Sequence, residues 1–273
     1  MIYLNELLFL IILIFLFLVY IKNRLFVLYT SLFLIIIFVM ELFLSYLGYN
    51  PIYIFGYSSL NPISFNILDS IFIHESFLHI ISNVIIFLLI GIPLEERIGT
   101  RKILIYFITA GVFANVIFIL YNLNNYVILV GASGAIFGIM GVFLRLYPDD
   151  EIPMFLGFIF LPRIKVKYAV LAFVLFELIL ELLNVNNGVA HLAHLAGFAF
   201  GFIIPSMNLK YNKYSELESF AENERDLEEI KDIKNTKDPL VRKYLIENFL
   251  KKKCKHIEIK EYEILCDNKK IKL

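Results

Sequence analysis

A serine set among small residues is the first feature of this sequence that could carry chemistry. The stretch reads Gly131-Ala132-Ser133-Gly134, and Gly138 follows four residues later. Small residues on a helix often serve only to let a neighbouring backbone approach. The same glycines would also leave the Ser133 hydroxyl uncovered and its backbone N–H accessible, as a serine nucleophile and its oxyanion site require. The segment alone therefore leaves a packing role and a catalytic role open.

A second segment offers the base that a nucleophilic serine needs. His194 is followed by Gly197 and Gly201, and this spacing places a stripe of small residues beside the histidine. Two helices with small faces can pack closely enough for a direct Ser133 to His194 hydrogen bond of about 2.6–3.2 Å. Packing alone does not readily explain two such helices, each carrying half of a dyad. The pair predicts Ser133 as nucleophile and His194 as general base.

His79 and Asn83 form a third polar pair, four residues apart and therefore on one helix face. Polar and ionisable groups inside apolar segments are costly and usually mark a buried site. Hydrogen bonds that merely cross-link helices remain an alternative for this pair.

The elements that position these residues are apolar segments. The chain has 273 residues, of which 59% are hydrophobic and 18% charged, a composition too apolar for a soluble domain of this size. A membrane-spanning helix needs about 20 apolar residues. Seven segments are long enough to predict a polytopic all-α membrane protein: 3–21, 25–47, 76–92, 103–121, 127–147, 168–183 and 189–207. A shorter apolar run, 152–161, is predicted to be an interfacial loop because Pro153 and Pro162 flank it.

Basic residues predict how these helices are oriented in the cell membrane. Lys and Arg fall in alternate loops, at Lys22, Arg24, Arg97, Arg101, Lys102, Arg145, Arg163, Lys165, Lys167, Lys210 and Lys213. The intervening loops, 48–75, 122–125 and 184–188, contain neither residue type. Because short basic loops stay in the cytoplasm, the N-terminus is expected outside and the C-terminus in the cytosol.

Together these motifs resemble the rhomboid family of intramembrane serine proteases. The family signature combines a His-x-x-x-Asn helix, a Gly-x-Ser-x-Gly or Gly-x-Ser-x-Ala helix and an Ala-His-x-x-Gly-x-x-x-Gly helix, and all three occur here in that order. Residues 91–101 also resemble the cytoplasmic turn of the family. The resemblance implies a six-helix protease core over 25–207. The additional transmembrane helix and basic turn over 1–24 depart from this family core.

The resemblance also implies roles for individual residues. Ser133 would be the nucleophile, and His194 rather than His191 the base. His79 and Asn83 would donate to the oxyanion together with the Ser133 backbone N–H. The residues implied to support helix packing are Gly131, Gly134, Phe137, Gly138, Gly197 and Gly201.

Two features of the core depart from the family pattern. Phe137 replaces a tyrosine that commonly stacks on the catalytic imidazole, and we expect the stacking to persist. The first outside loop, 48–75, lacks the Trp-Arg pair of many bacterial members. Glu177 and Glu181 are the carboxylates on a neighbouring helix, but the family works as a dyad without an acid. We therefore expect these glutamates to line a wet crevice or the outer interface.

The predicted function is endopeptidase cleavage of single-span membrane proteins near the outer face of the lipid bilayer. Neither a metal, another cofactor nor a nucleic-acid partner is expected. An inactive rhomboid-like protein that binds membrane clients is one alternative, although Ser133 and His194 are both retained. A small proton-coupled transporter is another, although the sequence shows no internal repeat.

The segment 208–273 changes abruptly to a Glu- and Lys-rich composition and is predicted to be a small cytosolic α+β appendage. We expect helices over 215–235 and 238–250, followed by a short hairpin over 256–273. Cys254 and Cys266 lack the Cys-x-x-Cys spacing of a zinc site and are predicted to be free thiols in a reducing compartment.

Overall fold

The structure, a computed structural model, describes residues 2–22, 25–156, 159–183, 190–208, 217, 220–236, 239–259, 263–267 and 269–272. The chain divides into two compact units, Met1–Asn208 and Leu209–Leu273. The predicted loop 184–188, together with Arg24, Lys210 and Lys213, lies outside the described residues.

The first unit is a bundle of apolar helices. Its elements are α1 (Ile2–Lys22), α2 (Phe26–Tyr46), α3 (Pro51–Phe55), β1 (Tyr57–Ser58), α4 (Asn66–Asp69), α5 (Phe77–Ile98), α6 (Thr100–Tyr121), β2 (Ile128–Leu129), α7 (Ser133–Leu146), β3 (Glu151–Leu156), β4 (Ile159–Lys165), α8 (Val166–Leu182) and α9 (His191–Asn208). Within the described ranges, α1, α2, α5 and α6 are long and apolar enough to cross a membrane, and α7 and α9 are shorter apolar helices. The protein is a polytopic membrane protein built from helices.

Helix α7 is shorter than the predicted span 127–147, which is a correction of that prediction. Strand β2 pairs antiparallel with β1, so the chain is extended just before the helix. Gly131 then turns the chain with a φ of 117°, a conformation that side chains with a Cβ rarely adopt. Ser133 consequently stands in the first turn of α7 rather than inside a longer helix.

The run 152–161, predicted to be a loop, instead forms most of a β-hairpin. Strands β3 and β4 pair antiparallel, with an irregularity between Ile152 and Met154. Pro153 falls at that irregularity, where its missing N–H costs the ladder nothing. The paired strands satisfy backbone groups that an open loop would leave to water.

Among the described residues, α7 and α9 are the helix pair with the most extensive contact. A Cβ atom added to Gly197 would overlap the carbonyl oxygen of Gly134, and one added to Gly201 would overlap that of Gly138. The two main chains are therefore in direct contact along both glycine pairs. This contact brings the starts of the two helices together.

The second unit is small and mixed. It contains α10 (Glu224–Asn235), α11 (Pro239–Lys253), β5 (Ile257–Ile259), β6 (Glu263–Cys266) and β7 (Lys269–Lys272). The helix predicted over 215–235 is not continuous, because Leu217 is helical, residues 220–223 are not, and α10 begins at Glu224. There Asn223 accepts a hydrogen bond from the Asp226 N–H at 3.0 Å. Such a side-chain cap marks a helix start. The predicted hairpin is a three-stranded antiparallel sheet in the order β5-β6-β7.

Cys254 and Cys266 form a disulfide, with their Cα atoms 5.5 Å apart. The prediction of two free thiols is therefore wrong. Cys254 directly follows α11, and the sheet brings Cys266 back to it because β6 pairs with β5. Their spacing of 12 residues resembles no metal motif and does not by itself predict that the two cysteines meet.

Candidate active site

Ser133 and His194 meet where α7 and α9 begin. The Nε2 atom of His194 lies 2.7 Å from the Oγ atom of Ser133, which is hydrogen-bond distance for a hydroxyl donating to an imidazole nitrogen. The His194 side chain is buried. A buried histidine that accepts from a serine hydroxyl is the arrangement that activates the hydroxyl oxygen as a nucleophile.

A cavity of about 570 Å³ opens at this pair, a volume typical of ligand and substrate sites. Its lining comes from the first turns of α5, α7 and α9, from α6 and α8, and from the extended segment 127–131. Ser133 and His194 both face this space. A molecule that enters the cavity would therefore meet the hydroxyl directly.

The ring of Phe137 stacks on the imidazole of His194. Its ring lies parallel to that of His194, with an angle of 4° and centroids 4.6 Å apart. Phe137 lies one turn after Ser133 on α7, so both side chains face α9. The stacking expected at this position is present with phenylalanine in place of tyrosine.

Potential oxyanion donors line the same cavity beside Gly131. A Cβ atom on Gly131 would lie 2.7 Å from the Nε2 atom of His79 and 3.8 Å from the Nδ2 atom of Asn83. Asn83 is buried, and its Nδ2 has no hydrogen-bond partner among the described residues. An unpaired buried amide is costly and is often kept for a ligand. Ser133 adds a backbone N–H, because the first N–H groups of a helix lack intrahelical acceptors.

The segment before Ser133 is held by polar residues to which the sequence assigned no role. The Gly131 N–H donates to the Ser70 carbonyl at 2.8 Å, and the Ala132 N–H approaches the Nε2 atom of His74 at 3.4 Å. Burial, reinforced by the neighbouring His79, lowers the pKa of His74 to about 3. The ring is therefore neutral and can accept. Its position before an apolar helix was the available signal for this role.

Glu177 lines the cavity and contacts both histidines of α9. Its Oε2 atom lies 2.6 Å from the Nδ1 atom of His191 and 3.0 Å from the Nδ1 atom of His194. Sequence reasoning gave this carboxylate no part in the site. Glu181, one turn further along α8, is partly exposed.

The same three residues offer a donor set that could suit a metal. Within the described ranges, the donor atoms of Glu177, His191 and His194 lie within 4.8 Å of one another. One carboxylate oxygen already approaches both imidazole Nδ1 atoms. We interpret the group as a carboxylate that accepts a hydrogen bond from His191 and lies beside His194, because the imidazole N–H groups can satisfy the carboxylate without a cation.

Comparisons with known proteins show which proteins this chain resembles. A family model described as the Rhomboid domain matches residues 64–211. RHOMBOID-like protein 4 of Arabidopsis thaliana is 30% identical over 141 residues, covering 50% of this chain and 32% of that protein. Rhomboid-like protease 3 of Toxoplasma gondii is 35% identical over 75 residues, covering 28% of each. RHOMBOID-like protein 1 of Arabidopsis thaliana is 29% identical over 136 residues, covering 49% of this chain and 32% of that protein.

The chain spans about a third or less of the length of these relatives. The family model, in contrast, covers more than half of the chain and includes the glycine-packed pair α7 and α9 with the cavity at their start. The chain belongs to the rhomboid family.

Proposed function

We propose that this chain is an intramembrane serine endopeptidase, with Ser133 as nucleophile and His194 as general base. The observation that carries the proposal is the 2.7 Å approach of His194 Nε2 to Ser133 Oγ at a cavity between apolar helices. The protease name of the Toxoplasma gondii relative supports it. Retention of both reacting groups distinguishes this proposal from a client-binding protein that lacks chemistry.

The proposed reaction follows from the positions of these groups. As the Ser133 oxygen attacks the peptide carbonyl, its proton passes to Nε2 of His194. Negative charge then develops on the former carbonyl oxygen, where the Ser133 N–H, Asn83 and His79 would donate to it. His194 next protonates the leaving amine, which leaves an acyl group on Ser133. Water activated by His194 hydrolyses this ester and restores the hydroxyl.

The proposed substrates are single-span membrane proteins cut near the outer membrane face. A peptide bond inside a stable helix is shielded by its own hydrogen bonds, so a substrate must unwind before it reaches Ser133. Weak helix formers such as glycine near the cut would lower the cost of unwinding by about 1 kcal/mol each. We expect substitution of such glycines by alanine to slow cleavage.

We also propose that the N-terminus lies outside the cell membrane and that residues 208–273 lie in the cytosol. The distribution of basic residues supports this orientation, whereas the disulfide of Cys254 and Cys266 is a pairing more usual in oxidising compartments. In Cys266→Ser, Cys254 is the remaining thiol. This thiol should react with an impermeant maleimide only after the membrane is permeabilised. Reaction with intact cells would show the opposite orientation.

Substitution of the two reacting residues tests the proposed activity. Ser133→Ala and His194→Ala should each abolish cleavage of a model membrane substrate, and a fluorophosphonate should label the parental protein on Ser133. Ser31→Ala is the matched control, since Ser31 is a serine on α2 whose hydroxyl donates to the Val27 carbonyl at 2.8 Å and which does not line the cavity. Cleavage at the parental rate by folded Ser133→Ala would refute the assignment.

A further inference from the structure

We infer that Glu177 is a positioning residue for His194, so that the proposed dyad works as part of a Glu177, His194 and Ser133 chain. The two nitrogens of one imidazole point to different partners. Nε2 lies 2.7 Å from the Ser133 Oγ atom, and Nδ1 lies 3.0 Å from the Glu177 Oε2 atom. This inference rests on the proposed proteolysis and adds a third residue to it.

The chemistry requires one particular tautomer of His194. Nε2 can take the Ser133 proton only if the neutral ring carries its hydrogen on Nδ1. Nδ1 is buried and has no well-aligned hydrogen-bond acceptor among the described residues, so the carboxylate at 3.0 Å acts mainly through its charge. A negative charge beside Nδ1 favours a proton there. It also stabilises the imidazolium that forms when Ser133 attacks.

Glu177 is itself held in place by His191. The Nδ1 atom of His191 lies 2.6 Å from the same Oε2 atom that faces His194. Glu177 and His191 are both buried, and an unpaired carboxylate at this depth would be strongly disfavoured. His191 precedes His194 by three residues on α9, so both rings reach the α8 side. The second histidine thereby anchors the acid that orients the first.

A purely structural reading is that the carboxylate only cross-links α8 to α9. The structural and the catalytic interpretation predict different effects when Glu177 is replaced by a neutral residue of the same size. Glu177→Gln keeps the size and an acceptor oxygen but removes the charge, so a cross-link would largely survive. Loss of the charge would weaken proton transfer at His194 while substrate binding stays intact.

The test compares Glu177→Gln with Glu181→Gln, which makes the same change one turn away on α8. We expect Glu177→Gln to lower kcat roughly a hundredfold, because general-base catalysis contributes about 10²–10⁴-fold and would be weakened, with KM unchanged. The rate of fluorophosphonate labelling at Ser133 should fall in parallel, while the fraction finally labelled stays the same. Glu181→Gln should keep parental values. Glu177→Asp, which retains the charge, should recover part of the loss.

Parental kcat and labelling rate in folded Glu177→Gln would overturn the inference, as would equal losses in the two Gln variants. Should Glu177→Gln fail to fold, His191→Gln replaces it, because it removes the anchor and leaves the carboxylate. A smaller drop in kcat at unchanged KM is expected there, and an unchanged kcat counts against the inference. Failure of the proposed proteolysis looks different, since the parental Ser133 would then not be labelled at all.

Discussion

Two regions of the molecule differ in how their own elements pack. Helices α7 and α9 pack through direct contact between their main chains. The carbonyls of Gly134 and Gly138 lie where Cβ atoms on Gly197 and Gly201 would be. The second unit packs through ordinary side chains. Its apolar core is closed by a disulfide and by an ion pair of 2.7 Å between Lys253 and Asp226.

This contrast predicts where substitutions should change the cleavage rate and where they should change the stability of the protein. Main chains in contact have no flexible atoms that can yield, so an added carbon displaces a whole helix and the group it carries. A small side-chain core can relax around a change, and an exposed ion pair such as that of Lys252 with Glu229 contributes little to stability. We therefore expect activity to be sensitive in α7 and α9, and insensitive to changes in the second unit.

The largest effect on rate among the following variants is expected from the oxyanion donors. Asn83→Ala and His79→Ala should each lower kcat by up to about a few hundredfold, because one donor to the developing charge is lost. Steady-state cleavage of a model substrate measures this. Asn122→Ala serves as control, since its amide donates to the Phe118 carbonyl at the end of α6. If Asn83→Ala and His79→Ala both cleave at the parental rate, neither residue donates to the oxyanion.

A somewhat smaller effect is expected from the glycine contact itself. Gly201→Val should push α9 away from Gly138, and a shift of about 1 Å can cost on the order of a hundredfold in rate. The thermal midpoint should fall much less than the rate. Ala199→Val is the matched control because Ala199 is exposed on another face of α9. Equal losses in the two variants, or none in Gly201→Val, would show that this contact does not set the distance from Ser133 to His194.

The smallest effect is expected from the second unit. A chain ending after Lys213 should cleave the model substrate at the parental rate, because the proposed reacting groups and donors all precede Met207. The comparison needs a truncated protein whose helix content and thermal midpoint match those of the parental bundle. A well-folded truncation without activity would mean that the second unit contributes to the site.

Much of the bundle could be predicted from the sequence because helix formation in a membrane is governed locally. About 20 apolar residues in a row must satisfy their own backbone groups, so hydropathy locates the helices without knowledge of their neighbours. Ser133 and His194 stood out for the same reason, as polar residues within apolar, glycine-rich segments. The four-residue spacing of the glycines also indicated which faces of their helices could pack closely.

Only the tertiary structure decided what these segments touch. The start of α7 at Ser133 depends on β2 pairing with β1, whose residues lie about 70 positions earlier in the chain, and the disulfide depends on the pairing of β5 with β6. The contact of Glu177 with His191 and His194 depends on how far α8 is rotated about its own axis. That rotation is set by packing against other helices, which no periodicity within α8 encodes. Local patterns therefore determined which residues could react, and packing decided which of them meet.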